Sequence, residues 1–135
     1  MSLVESIAQA IATMEGFFNS GSLAQRNNNP GNLRSWGSAP IVGGYAQFAT
    51  PEDGWNALYS QVNTNIGRGL NLYEFFGGKP GIYPGYAPSA DQNHPIQYAQ
   101  FVGQQAGINP AEPLNSLGGD TPNPTRPRPG KKRRG

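Results

Sequence analysis

All fourteen aromatic side chains of this 135-residue chain fall before residue 102, and the last is Phe101. Residues 108–135 hold six of the 13 prolines and only four hydrophobic residues, Ile108, Ala111, Leu114 and Leu117. A segment of that composition buries too little apolar surface to offset the entropy of ordering it. The folding unit is therefore read as residues 1–107. Residues 108–120 are expected to be a linker or a surface-packed segment, and 121–135 a basic, disordered arm. About a hundred residues make one modest domain.

Charge follows the same division. Residues 1–120 carry Arg26, Arg34, Arg68 and Lys79 against all eight acids, a balance of −4; residues 121–135 carry six cations and no acid. The net charge of +2 thus describes an acidic body and a basic arm, not a basic domain. With no cysteine there is no disulfide and no thiol nucleophile. His94 is the only histidine, which excludes a multi-histidine zinc site and weighs against a Ser-His triad; beside Pro95 it reads as a helix-start residue. No apolar run approaches the ~20 residues of a membrane span. The first residues lack a basic region followed by an apolar one, so no Sec-type signal is expected. The chemistry left to this chain is that of carboxylates, amides and aromatics.

Four helices and two short strands are legible. Ser2 with Glu5 forms a capping box ahead of Leu3, Val4, Ile7, Ala8, Ile11 and Met14 at helical spacing, with Gly16 as the stop. Pro30-Gly31 predicts a type II turn. Leu33–Trp36 and Tyr45–Phe48 are expected to form two short strands, with Gly43-Gly44 in their connection. Thr50-Pro51-Glu52-Asp53 opens a helix running to about Ile66, in which the two acids complement the positive helix end. A short helix over Leu72–Phe76 carries Glu74, and a last helix begins near Asn93–Pro95 and ends at Gly107. The fold expected from these residues is mainly α with a small β-hairpin. Between the last two helices, Tyr83 and Tyr86 read as cover for a small core in preference to sugar-stacking rings. Asp91 lies in the irregular segment 79–92, where it could approach a cleft.

Two features carry chemistry. Glu15 falls at the end of the first helix, where the dipole disfavours an anion, beside Phe17 and Phe18, which would desolvate it; both effects raise a carboxyl pKa. A carboxyl held protonated can act as a general acid on a leaving oxygen, and the plainer alternative is a solvated helix-end glutamate. Arg26-Asn27-Asn28-Asn29-Pro30-Gly31-Asn32-Leu33-Arg34 presents four amides in nine residues. Amides offer donors and acceptors together, as sugar hydroxyl and acetamido groups require, and they are also ordinary turn formers.

The order Met14-Glu15-Gly16-Phe17, the Asn-Asn-Pro-Gly-Asn block, Tyr45-Ala46-Gln47-Phe48, Thr50 to Gly54 and Ala87-Pro88 through Tyr98 resembles phage and prophage proteins of the lysozyme-like superfamily. Soluble lytic transglycosylases and autolysin glucosaminidase domains belong to that superfamily. The resemblance covers residues 3–107. It implies a two-lobed, lysozyme-like α+β domain that cleaves the N-acetylmuramic acid to N-acetylglucosamine linkage of peptidoglycan in a cleft. Glu15 would be the general acid; Asn29, Asn32, Tyr45 and Gln47 would face the glycan strand; Tyr98 would steady the catalytic region from the last helix. No cofactor and no metal are implied. Many lytic transglycosylases have a serine where this chain has Gly16.

No second carboxylate is evident, whereas ordinary glycoside hydrolases use two. One acid fits a lytic transglycosylase, with a muramidase or glucosaminidase as the alternative. The resemblance places the chain in a phage virion, in the tail or as an ejected internal protein, or in the host cytoplasm before assembly, acting on the cell wall. The arm 121–135 would engage other virion proteins, nucleic acid or the anionic wall. A structural virion protein that keeps the shape without the activity is the reading from another class. A nucleic-acid-binding protein is disfavoured by the −4 body.

Overall fold

The computed structural model describes residues 1–87 and 94–117, half of them helical. The order is α1 (Leu3–Met14), α2 (Leu23–Arg26), β1 (Ile41–Val42), β2 (Tyr45–Ala46), α3 (Pro51–Gly67), α4 (Leu72–Gly77), α5 (Pro95–Ala106) and a closing 3-10 turn at Leu114–Leu117. The protein is mainly helical with one small two-stranded antiparallel sheet. No described helix is long and apolar enough to cross a membrane.

Helix α1 packs between α3 and α5 and shares one core with α4. Ser2 caps it, with its side chain accepting from the Glu5 N–H while Glu5 reaches back to the Ser2 N–H at 2.9 Å. Its Leu3, Ile7 and Ile11 are wholly buried against Leu58 and Val62 of α3, Phe75 and Phe76 of α4, and Ala99 and Val102 of α5. Each such side chain taken from water contributes about 1.5–3 kcal/mol. Thr50 caps α3 through the Asp53 N–H at 3.1 Å, with Pro51 in its first turn. Asn71 and Glu74 form a second capping box on α4, and Glu74 also pairs with Lys79 at 3.7 Å. A smaller cluster of Leu33, Ala46, Phe48 and Ala57 fastens the hairpin segment to α3, and Tyr86 packs against both clusters.

The structure changes four details of the sequence reading. The partner of Tyr45-Ala46 is Ile41-Val42, not Leu33–Trp36: Gly43 and Gly44 both take positive φ, 64° and 88°, which makes a two-residue hairpin turn between directly adjacent strands. Leu33 still meets Ala46, whose N–H donates to the Leu33 carbonyl at 2.9 Å, but as a loop. The Pro30-Gly31 turn closes through the Asn32 N–H on the Asn29 carbonyl at 3.0 Å, yet Gly31 does not have the positive φ of a type II turn; Asn28 and Asn32 do, at 53° and 49°. Helix α2 is an addition to the expected elements, and Ser22 caps it through the Gln25 N–H at 3.1 Å.

The fourth change concerns the boundary. The fold continues past Gly107. Ile108 and Leu114 are buried, the Leu72 N–H donates to the Pro110 carbonyl, and the Leu114 N–H donates to the Leu70 carbonyl. Averaged composition hides this, because Ile108 and Leu114, two of the few apolar residues of 108–117, are the ones that are buried. The arm 121–135 and Asp91 lie outside the described residues.

Gly54 shows how tightly the asparagine block is seated on α3. A Cβ there would overlap the Asn28 carbonyl oxygen and come within 2.8 Å of Pro30 Cδ. Backbone cannot yield as a flexible side chain can. Gly54→Ala is therefore expected to cost about 2 kcal/mol, within the range for overpacking. A denaturant midpoint unchanged from wild type would contradict this seating.

Candidate active site around Glu15

Glu15 is the C-cap of α1. Gly16 takes φ 79°, its N–H donates to Thr13 at 3.2 Å, and the Phe17 N–H donates to Ala12 at 3.0 Å. These are the two bonds of a Schellman motif, which ends the helix on a left-handed residue. Gly16 thus has a backbone reason to be a glycine. It turns the chain so that Phe17 packs edge-on against Trp55, with ring centroids 5.5 Å apart, and Glu15 is left facing the asparagine turn.

The Glu15 carboxyl is partly buried, and burial holds its pKa above the ordinary glutamate value near 4.5. Asn32 opposes that shift by donating from Nδ2 to Glu15 Oε1 at 3.4 Å. The Asn32 Oδ1 is buried and has no hydrogen-bond partner. Glu15 and Asn32 are therefore brought together by the structure, the carboxyl bonded by the amide nitrogen while the amide oxygen stays buried and unpaired. Neither a cation nor a second carboxylate of the described residues shifts Glu15. No three His, Cys, Asp or Glu side chains among the described residues cluster as metal ligands would.

The other expected site residues make the following contacts. Asn29 is wholly buried: its amide donates at 2.9 Å to the Leu33 and Ala46 carbonyls, and its oxygen accepts from the Leu33 N–H. Every polar atom of that side chain is occupied by the scaffold, so the direct glycan contact expected of Asn29 is corrected to a structural one. Asn27 and Asn28 likewise donate to the Val42 and Phe48 carbonyls. Tyr45 is partly buried on β2 beneath the Arg34 guanidinium, 5.6 Å from its ring centroid. Gln47 lines an open groove of about 560 Å³ with Trp36, Asp53 and Asn56. Tyr98 lies on α5, edge-on to Phe76 at 6.1 Å.

Sequence reasoning misses the hydroxyl ends of two tyrosines. Tyr86 packs on Phe75 and Phe76, as expected of core cover, but its hydroxyl donates to the Gly31 carbonyl. Tyr83 accepts from Gln61 Nε2 at 3.0 Å and lies under Arg68. Burial pushes the Tyr86 phenol well above its ordinary range, with Glu15 and then Tyr83 adding to the shift. No local sequence signal joins Tyr86 to Gly31 across 55 positions.

Comparison of the chain with protein-family models, with curated proteins and with solved structures finds no match.

Proposed function

We propose that this protein cleaves the glycan strands of peptidoglycan as a lytic transglycosylase, within a lysozyme-like fold, with Glu15 as its acid and base. The observation that carries the reading is the Glu15 carboxyl: partly buried at a helix C-terminus, held toward its protonated form and hydrogen-bonded by the Asn32 amide. The resemblance of the asparagine block to phage and prophage proteins supports the same reading, as part of a device that opens the host wall.

The chemistry needs no water as reactant and no second carboxylate. Protonated Glu15 gives its proton to the glycosidic oxygen as the bond from the muramic C1 to that oxygen breaks. The resulting carboxylate then takes the proton of the muramic 6-hydroxyl while O6 bonds to C1. Glu15 is restored, and the product carries a 1,6-anhydro ring. The Asn32 amide, which donates from Nδ2 to Glu15 Oε1, holds the carboxyl in place for both proton transfers.

Mass analysis of the products released from purified sacculi tests the proposal. Anhydro-muropeptides are expected. Reducing-end products would replace the transglycosylase with a hydrolase, and absence of any product would favour the structural virion protein. The pH profile gives an independent check. Because the acid must be protonated, turnover should fall as pH rises through a Glu15 pKa that lies above 4.5. A rate that climbs steadily from pH 5 to 9 would exclude Glu15 as the proton donor.

A further inference from the structure

We propose that Tyr86 is a positioning residue for Glu15: by donating to the Gly31 carbonyl it pins the turn that aims the Asn32 amide at the carboxyl. The inference rests on the reading of Glu15 given above and adds to it a residue from the far side of the fold.

Tyr86 is itself held rigidly. Its N–H donates to the Phe75 carbonyl at 2.8 Å, and the next N–H, of Ala87, donates to Phe76 at 2.9 Å. Its ring is wedged 5.6 Å from the Phe75 centroid and 5.8 Å from that of Phe76. Both phenylalanines are wholly buried in α4, so the phenol is anchored to the main core. Its oxygen then reaches the asparagine turn, which lies against the other cluster.

The turn has no slack at that contact. A Cβ on Gly31 would stand 2.5 Å from the Tyr86 oxygen and 2.7 Å from Leu58 Cδ1. Gly31 is therefore pressed between α3 and Tyr86, and only the absence of a side chain permits it. The following residue is Asn32, at φ 49°, which places its amide 3.4 Å from Glu15. Tyr86, Gly31, Asn32 and Glu15 thus form one mechanical chain with a single hydrogen bond at its entry.

The groups around the carboxyl make the consequence readable. Glu15 acts electrostatically on the Tyr86 phenol, as does Tyr83, and Arg68 lies on the Tyr83 side, 4.9 Å over that ring, with Lys79 bonded to the Tyr83 backbone and paired with Glu74. The element beneath, α3, offers uncharged Leu58 and Gln61. Tyr86 is held above its ordinary range and stays neutral throughout the titration of Glu15. Its effect on Glu15 is therefore one of placement and water exclusion, not of charge.

Tyr86→Phe keeps the ring on Phe75 and Phe76 and deletes only the donor. Full-length wild type, Tyr86→Phe and Tyr73→Phe are compared by carbon-13 titration of the Glu15 carboxyl and by turnover of solubilised glycan strands. Tyr73 is a partly buried core tyrosine and serves as the control. In Tyr86→Phe the released turn admits water, which lowers the Glu15 midpoint, and loosens the Asn32 bond, which raises it; because burial is the larger of the two causes, the net movement should be down toward the ordinary value. The kcat should fall about tenfold with KM within twofold, the signature of an interaction that matters in the transition state. Tyr73→Phe should change neither. An unmoved Glu15 midpoint, or a loss confined to KM, overturns the role of Tyr86. If wild type releases no product, the enzymatic reading fails, and the Glu15 midpoint alone still decides whether Tyr86 positions the carboxyl.

Discussion

Glu15→Gln is expected to lose activity by about 10²–10⁴-fold, the range ascribed to a positioned general acid, while becoming more stable than wild type near neutral pH. Glutamine keeps the size of the side chain and an oxygen that can accept from Asn32, so the loss isolates the proton. The stability gain follows from linkage. Burial raises the Glu15 pKa in the folded protein above its value near 4.5 in the unfolded chain. Below that value both states are protonated, and Glu15 contributes no pH dependence. As pH rises past it, the unfolded chain ionises first, and folding is penalised increasingly until the folded pKa is passed. Glutamine carries no such penalty. The increment in Tm should therefore be present at pH 7 and vanish by about pH 4. A glutamate kept for structure would show the reverse, a loss of stability with no loss of turnover. Full activity in the variant, or a lower Tm at pH 7, would remove Glu15 from the mechanism.

The two halves of the site differ in how far they can be read from the sequence. Helix α1 is legible because its signals are local: a capping box at one end, a 3.6-residue apolar period, and a glycine at the other. Together these signals are enough to put Glu15 at a helix end. The capped starts of α3 and α4 are legible for the same reason. The hairpin is half legible. Gly43-Gly44 marks the turn, but the true partner Ile41-Val42 is only two residues long and directly follows Pro40, so its strand-like side chains are too few to stand out as a strand and the pairing is drawn to the longer Leu33–Trp36 segment. The sequence leaves 108–120 open between a linker and a surface-packed segment because Ile108 and Leu114 are isolated apolar residues in a polar stretch, and what ties 108–117 down is backbone bonding to Leu70 and Leu72. Tyr86 is hidden for a different reason. Its ring behaves as the core residue that the sequence suggests, and only its oxygen, meeting a backbone carbonyl 55 residues away, belongs to the site.

The four amides of the asparagine block are not equivalent, and Asn29→Ala should expose the difference most sharply. The change takes the acceptor from the buried Leu33 N–H and the donors from the Leu33 and Ala46 carbonyls. The Leu33 carbonyl keeps the Ala46 N–H, but the Leu33 N–H is left inside a cluster too apolar to supply a substitute. Each group orphaned in this way costs about 1–3 kcal/mol, so a total of about 3 kcal/mol or more is expected. That is a large share of the roughly 5–15 kcal/mol by which a domain of this size is stable. Asn29→Asp should be no rescue, since its oxygens would face two carbonyls that need donors. Asn32→Gly makes the contrast. Glycine accepts the positive φ of that position, and the amide it removes has one oxygen unpaired already, so Tm should change little while turnover falls. Denaturant midpoints and product release measured on the same preparations separate the two. If Asn29→Ala were as stable as wild type, the block would not be the clamp between the hairpin and the Leu33 loop that these hydrogen bonds describe. The placement of Asn32 opposite Glu15 would then need another cause.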